Sequence, residues 1–252
     1  MNTQGAGPVL ILGGTAQARE LAGALVAAGR PVVSSLAGRV RDPARPDGEV
    51  RVGGFSSVNA DGVAGLAAFL VEHRVAAMID ATHPFAVTIS ANAAAAAART
   101  EIPWLRLQRP GWWDHPDATR WTWVGSPAEA VLAGAGSRRP FLTTGRQSLP
   151  DFLAWADRDV TVRVVDPPEI ELPASWRVIR SRGPYAYADE RALIAGLNTD
   201  LLVTKDSGGS HTAAKLDAAR DLGVAVIMVA RPGEPSPAPT VATVAEVLDW
   251  LP

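Results

Sequence analysis

The sequence predicts an α/β protein of two successive domains, each a parallel sheet covered by helices. Three observations carry this. Apolar runs of strand length alternate with segments of helical period from residue 9 almost to the end. Such alternation needs crossover connections, and hence parallel strands. The alternation breaks once, at residues 108–120, QRPGWWDHPDATR, where Pro and Gly displace any helical period. The two halves also share a layout. Each has a glycine turn after an early strand, Gly13-Gly14 and then Gly145. Each later has a polar cluster between a strand and a helix, DATHPFA at 80–86 and TKDSGGSH at 204–211. From Gly14 to Asp80 is 66 residues, and from Gly145 to Lys205 it is 60. The expected domains are 1–110 and 111–252, with a cleft between them.

Each element follows from its local pattern. In the first half, strands are expected at 9–12, 32–35, 50–52, 76–80 and 104–107. Helices are expected at 16–28, 61–73 and 86–99, the last one rich in alanine. In the second half, Ser126-Pro127 is a helix start, a Ser cap followed by Pro in the first turn. Strands follow at 141–144, 161–165, 178–179, 201–204 and 224–229, with helices at 149–156 and 212–222. Residues 232–239 form a Pro-rich loop, and 244–251 a final short helix.

Composition narrows the function. The 252 residues are 47% hydrophobic and 20% charged, enough for a sizeable core. There is no cysteine, which excludes disulfides, thiolate metal sites and a cysteine nucleophile. The four histidines, at 73, 83, 115 and 211, lack metal-ligand spacing, so no metal is expected. A net charge of −2 gives no reason to expect nucleic acid. No apolar run approaches the ~20 residues of a membrane span, and the start lacks a basic signal-peptide region. A cytoplasmic protein is expected. Of 24 basic residues 22 are Arg; the two lysines, 205 and 215, fall in one motif region.

VLILGGTAQARELA places Gly13 and Gly14 directly after the first strand and opens a helix. Glycines permit a tight turn and close approach of backbone amides to a phosphate, and the helix N-terminus adds partial positive charge. Thr15 can cap the helix or donate to phosphate. The motif is not a full GxGxxG, and a plain strand–helix turn is the alternative. NAD enzymes commonly carry an acidic residue at the end of the second strand. Here Ser34-Ser35-Leu36-Ala37-Gly38-Arg39 carries none. The Ser35 hydroxyl and the Arg39 guanidinium suit a 2′-phosphate, which favours NADPH over NADH.

The ordered set GGTAQARELA, SLAGR, DATHPFA, TGRQSL and KDSGG…TAAKLDAA resembles the precorrin-6A reductases across nearly the whole chain. The resemblance implies two Rossmann-like domains with parallel sheets and a cleft between them. It implies NADPH-dependent reduction of a ring double bond of precorrin-6A to give precorrin-6B in cobalamin biosynthesis. The cobalt-loaded substrate of the anaerobic route is the close alternative. The pattern departs at Gln17, where many relatives carry an acidic residue. Residues 1–110 would bind NADPH and 111–252 would contribute to substrate binding. The macrocycle carries many carboxylates. Arg146, Lys205 and Lys215 could meet them, with the hydroxyls of Thr143, Thr144, Ser148, Ser207 and Ser210 as neutral donors. Gly145, Asp206, Gly208 and Gly209 complete the two loops. Trp112 and Trp113 are the Trp residues best placed to stack on the ring. Transient contact with neighbouring pathway enzymes is compatible with this reading.

On the resemblance, the DATHPFA loop lines the cleft, where Asp80, Thr82 and His83 could orient nicotinamide or macrocycle. The alternative is structural, with Asp80 as a helix cap. His83, Tyr185, Tyr187 and Asp206 are candidate proton donors, and solvent competes with them. Other classes fare worse. A short-chain dehydrogenase needs Tyr-x-x-x-Lys, but Asp189 follows Tyr185 and Arg191 follows Tyr187 at that spacing. Ser207, in KDSGG, does not form the Gly-x-Ser-x-Gly elbow of a serine hydrolase. A non-catalytic NADP(H) sensor would leave the second half's cationic cluster unused.

Overall fold

The computed structural model describes residues 7–38, 44–56, 61–233 and 238–251. They form two compact units, Met1–Arg109 with Gly233–Pro252, and Pro110–Pro232.

In the first unit, β1 (Val9–Leu12), β2 (Val32–Leu36), β3 (Glu49–Val52), β4 (Ala77–Asp80) and β5 (Trp104–Leu107) alternate with α1 (Ala16–Ala27), α2 (Gly62–Glu72) and α3 (Val87–Thr100). Strands β1, β2 and β4 are buried throughout, as a parallel sheet covered on both faces requires. The pleat divides their side chains between two cores. Val9, Ile11, Val32 and Ile79 pack on Leu21 and Leu25 of α1, whereas Leu10, Leu12, Val33 and Met78 pack on Leu66 and Leu70 of α2 and the alanines of α3. The small alanine faces explain how α2 and α3 cover one side together. Thr15, Asp61 and Ser126 cap α1, α2 and α4 (Pro127–Ala133) through side-chain oxygens, as Ser/Thr/Asp positions before apolar periods predict.

The second unit holds β6 (Thr122–Val124), β7 (Pro140–Leu142), β8 (Thr161–Val164), β9 (Arg177–Arg180), β10 (Leu201–Lys205) and β11 (Ala225–Val229), with α4, α5 (Tyr187–Gly196) and α6 (Ala214–Asp221). Besides the unforeseen strand β6, two helical elements differ from expectation. The helix expected at 149–156 is a 3-10 segment, Arg146–Trp155, because Pro150 lies inside it and has no N–H for an α-helical ladder. Helix α5 has no clear sequence signal: its two buried positions are Glu190 and Ile194, so a charge sits where the pattern calls for an apolar residue.

All strand pairs are parallel, and the two sheets have matching orders. The first is β12-β5-β4-β1-β2-β3 and the second β6-β11-β10-β7-β8-β9. Each is therefore a five-stranded doubly wound sheet with a sixth strand beside its fifth.

The sixth strands correct the expected boundary. β12 (Thr240–Val241) and α7 (Val244–Trp250) belong to the first unit, not to a continuous domain 111–252. Thr240 and Val241 pair with Arg106 and Leu107 of β5, and Val247 is fully buried in the α1 core. Gln17 Nε2 also donates to Ala242 O at 2.9 Å. The outer edge of β5 and the apolar face of α1 need cover, and this segment supplies it. Reciprocally, the chain leaving β5 supplies β6 to the outer edge of β11.

Candidate active site

In both sheets the winding direction reverses between the first and fourth strands of the doubly wound core, β1/β4 and β7/β10. Loops on either side of such a reversal diverge, leaving a crevice at the carboxyl ends of the strands where ligands bind. The glycine turns and polar clusters singled out from sequence lie at these two points.

At the first, Gly14 has φ +107°, a region that side chains rarely adopt, and nothing lies within 4 Å of where its Cβ would stand. Gly13 N donates to Ser35 O at 3.0 Å, tying the turn to β2. The Thr15 hydroxyl donates to Ala81 O at 2.8 Å and accepts from Ala18 N at 3.1 Å. It is thus committed to capping α1 and joining the two loops. The turn offers an anion open space and the unpaired N–H groups of a helix start.

Asp80 is buried at the end of β4. Its Oδ1 accepts from Thr82 N (3.1 Å) and Thr82 Oγ1 (2.6 Å), holding the DATHPFA loop in a tight turn. Oδ2 lies 3.9 Å from Arg106 Nε on the paired position of β5 and accepts no hydrogen bond among the described residues. Asp80 therefore anchors the loop, and it does not cap α3, whose N-cap is Ala86. His83 Nδ1 accepts from Phe85 N at 3.3 Å, which in the neutral ring puts the proton on Nε2.

Ser35 is buried at the end of β2, opposite Arg51 of β3 in the parallel register. Arg51 Nη1 donates to Ser35 Oγ at 2.7 Å and to Gly53 O at 3.2 Å, and Nη2 donates to Gly54 O at 3.1 Å. The guanidinium lies 3.9 Å from the centroid of the Phe55 ring. Partial burial pushes its pKa down, since the charge loses water. Arg39, the expected partner of a 2′-phosphate, lies outside the described residues. Arg51 was not singled out from sequence; only the strand register, which puts it across from Ser35, reveals it.

At the second reversal, Gly145 has φ +83° and follows Thr144, which is buried. Ser148 Oγ donates to Thr144 Oγ1 at 2.8 Å, so these hydroxyls hold each other. Thr143 Oγ1 donates to Val203 O at 3.2 Å, linking β7 to β10. Arg146 lies 3.2 Å from the exposed Glu169, a pair worth little in water. Lys205 closes β10, with burial lowering its pKa against the opposing pull of Asp151. Ser207, Gly208 (φ +65°) and Gly209 (φ +72°) carry the chain on to α6. A Cβ at Gly208 would stand 2.1 Å from Pro110 O, so only glycine fits there.

Other expected site residues turn out to hold the second unit together. Asp206 is 1% exposed; Oδ1 accepts from Trp112 N at 2.8 Å and Oδ2 lies 3.3 Å from Arg231 Nε. Lys215 is 3% exposed, donates to Thr212 O and lies under the Trp112 ring at 4.9 Å. Lys215, expected to meet substrate carboxylates, lies in the interior. Burial lowers its pKa to about 7, Arg163 pushes the same way and Glu190 opposes. Trp112 is likewise core, whereas Trp113 is 56% exposed. The Tyr185 hydroxyl donates to Ser181 O at 3.1 Å and its ring stacks on Arg163 at 3.9 Å. Tyr187 donates to Asp221 at 2.6 Å on the surface. Arg163 and Glu190 form a buried two-point ion pair that the sequence did not reveal. His115, Asp117 and Asp217 come within 4.8 Å of one another. Arg220 pairs with both carboxylates, and His115 Nδ1 accepts from Asp117 N.

The family model described as "Precorrin-6x reductase CbiJ/CobK" matches residues 8–252. The chain belongs to this family. A precorrin-6A reductase of Rhodococcus erythropolis is 46% identical over 246 residues, covering 96% of each chain. A cobalt-precorrin-6A reductase of Priestia megaterium is 31% identical over 242 residues, with 89% of this chain and 90% of that one covered. Among solved structures, a CobK precorrin-6A reductase superposes with a TM-score of 0.89 at 39% identity, covering 97% of this chain and 96% of that one. No helix among the described residues is long and apolar enough to cross a membrane.

Proposed function

We propose that this CbiJ/CobK family member reduces a ring double bond of precorrin-6A to give precorrin-6B, with NADPH as the reductant. The observation that carries the reading is the 46% identity, over 96% of both chains, to a precorrin-6A reductase. The lower identity to cobalt-precorrin-6A reductases favours the metal-free substrate.

The glycine turn after β1 fits the cofactor: Gly14 opens onto free space at a helix start, and no carboxylate stands at the end of β2 to repel a 2′-phosphate. NADPH, when bound, supplies the hydride for the acceptor carbon, and a proton completes the adjacent carbon. The protein's part is to hold the reacting carbons together and exclude water. In the first unit, Asp80 fixes the turn that carries Thr82 and His83 toward the carboxyl end of the sheet. His83, whose Nδ1 accepts from Phe85 N, is the side chain taken to donate or relay that proton. In the second unit, Thr144, Gly145, Arg146, Ser148, Lys205, Ser207 and Gly208 form the loops for the substrate's carboxylates. Arg146 and Lys205 supply charge and the glycines supply backbone amides. Tyr185, Tyr187 and Asp206 have partners within that unit, and this reading takes His83 or water as the proton source.

The test follows absorbance loss at the reduced-nicotinamide band when purified protein meets NADPH and precorrin-6A, with NADH in parallel. The expected result is NADPH oxidation and a two-hydrogen mass gain in the macrocycle, with little response to NADH. Turnover only with cobalt-precorrin-6A would shift the substrate to the cobalt form. NADPH binding without turnover of either would favour a non-catalytic NADP(H) sensor, and no NADPH binding would refute the proposal.

A further inference from the structure

We propose that Arg51, not assigned by any motif above, is the residue that selects a 2′-phosphorylated nucleotide at the first unit's glycine turn. The inference rests on the NADPH reading and names the group that makes the choice.

In dinucleotide-binding sheets the ribose nearest the adenine is met at the end of the second strand, about 20 residues after the glycine turn. Ser35 occupies that position in this chain, at the end of β2. The neighbouring strand brings Arg51 opposite it, and the guanidinium is bonded to the Ser35 hydroxyl. Three features prepare this cation for an anion. Among the described residues its hydrogen bonds go only to neutral oxygens, those of Ser35, Gly53 and Gly54. Those three bonds use both hydrogens of Nη1 and one of Nη2. The N–H of Nε and the second N–H of Nη2 remain, the pair that makes a two-point contact with phosphate. Phe55 supports one face of the guanidinium, so the fork is held in place before a ligand arrives. A carboxylate partner would have neutralised the charge, and Arg51 has none among the described residues. A ligand anion that completes the fork would offset the remaining cost of partly burying this cation.

The experiment compares 2′,5′-ADP with 5′-AMP by titration calorimetry, for the unaltered chain and for Arg51→Gln and Arg51→Lys. The unaltered chain should prefer 2′,5′-ADP. In Arg51→Gln that preference should fall by about 10- to 100-fold, the worth of a charge-assisted two-point contact. Arg51→Lys, which keeps the charge but not the fork, should recover only part of it. The ratio of NADPH to NADH efficiency in turnover should move the same way. A preference that persists in both variants would overturn the role of Arg51 and leave the NADPH reading standing. An unaltered chain that binds both nucleotides equally would overturn the NADPH reading itself.

Discussion

Lys215→Met should stabilise the protein most at and below neutral pH, and progressively less as the pH rises above 7. Lys215 is enclosed in the second unit, where loss of water holds its pKa near 7 against an ordinary 10.5. The folded state therefore binds fewer protons than the unfolded chain between those two values. Folding stability must then rise with pH across that window. Below pH 7 the full penalty applies, about 5 kcal/mol at 1.36 kcal/mol per factor of ten. Between pH 7 and pH 9 the relief is about 2 kcal/mol. Methionine has a similar length and no charge, so the variant should gain stability over the parent at pH 7, and this gain should shrink by about 2 kcal/mol at pH 9. Urea unfolding followed by Trp fluorescence measures it. Six of the eight tryptophans, at 112, 113, 121, 123, 155 and 176, lie in the unit that contains Lys215. A difference between variant and parent that is flat from pH 7 to pH 9 would refute the reasoning.

Asp80→Ala removes the carboxylate beside the buried Arg106 and the anchor of the DATHPFA turn. It should cost about 3 to 5 kcal/mol in urea unfolding, and a loss under 1 kcal/mol would contradict the anchoring role. Glu190→Ala strands Arg163 in the interior and should cost a similar amount, about 3 to 5 kcal/mol, whereas Arg163→Met with Glu190→Leu should recover most of it. Equal losses in the single and double variants would mean that packing, not charge, dominates there. Gly14→Ala forces a side chain into a positive φ and should cost about 1 to 3 kcal/mol. The new methyl group would also stand in the open space over the glycine turn, and NADPH affinity measured by calorimetry should fall. Unchanged stability and affinity would exclude the turn as the phosphate cradle.

The parts of this molecule that repeat a simple period were legible in advance. Strands such as Val9–Leu12 and Leu201–Lys205, buried on both faces, announce themselves as apolar runs, and the glycine turns that follow them mark the reversal points of both sheets. The missed features all depend on pairing between distant segments. Glu190 and Arg163 lie 27 residues apart and break the apolar pattern that would have announced α5. Arg51 becomes meaningful only when the register sets it across from Ser35. Lys215 and Asp206 sit in motifs that read as ligand-binding, yet their partners, the Trp112 ring and backbone, lie about a hundred residues away and draw them inward. The short strands Thr122–Val124 and Thr240–Val241 carry no pattern of their own, since each is defined by the sheet edge it completes.

The reciprocal edge strands also set an order of events during synthesis. The first unit's five core strands leave the ribosome early, but the outer edge of β5 stays open until Thr240 and Val241 have been made. The second unit has all six of its strands once Val229 has emerged. The half translated first is thus completed last, and in the interval it presents an unpaired parallel edge, the kind of surface on which nascent chains aggregate. A stop or a cut between residues 230 and 239 would leave the second sheet whole and the first without its sixth strand and its last helix.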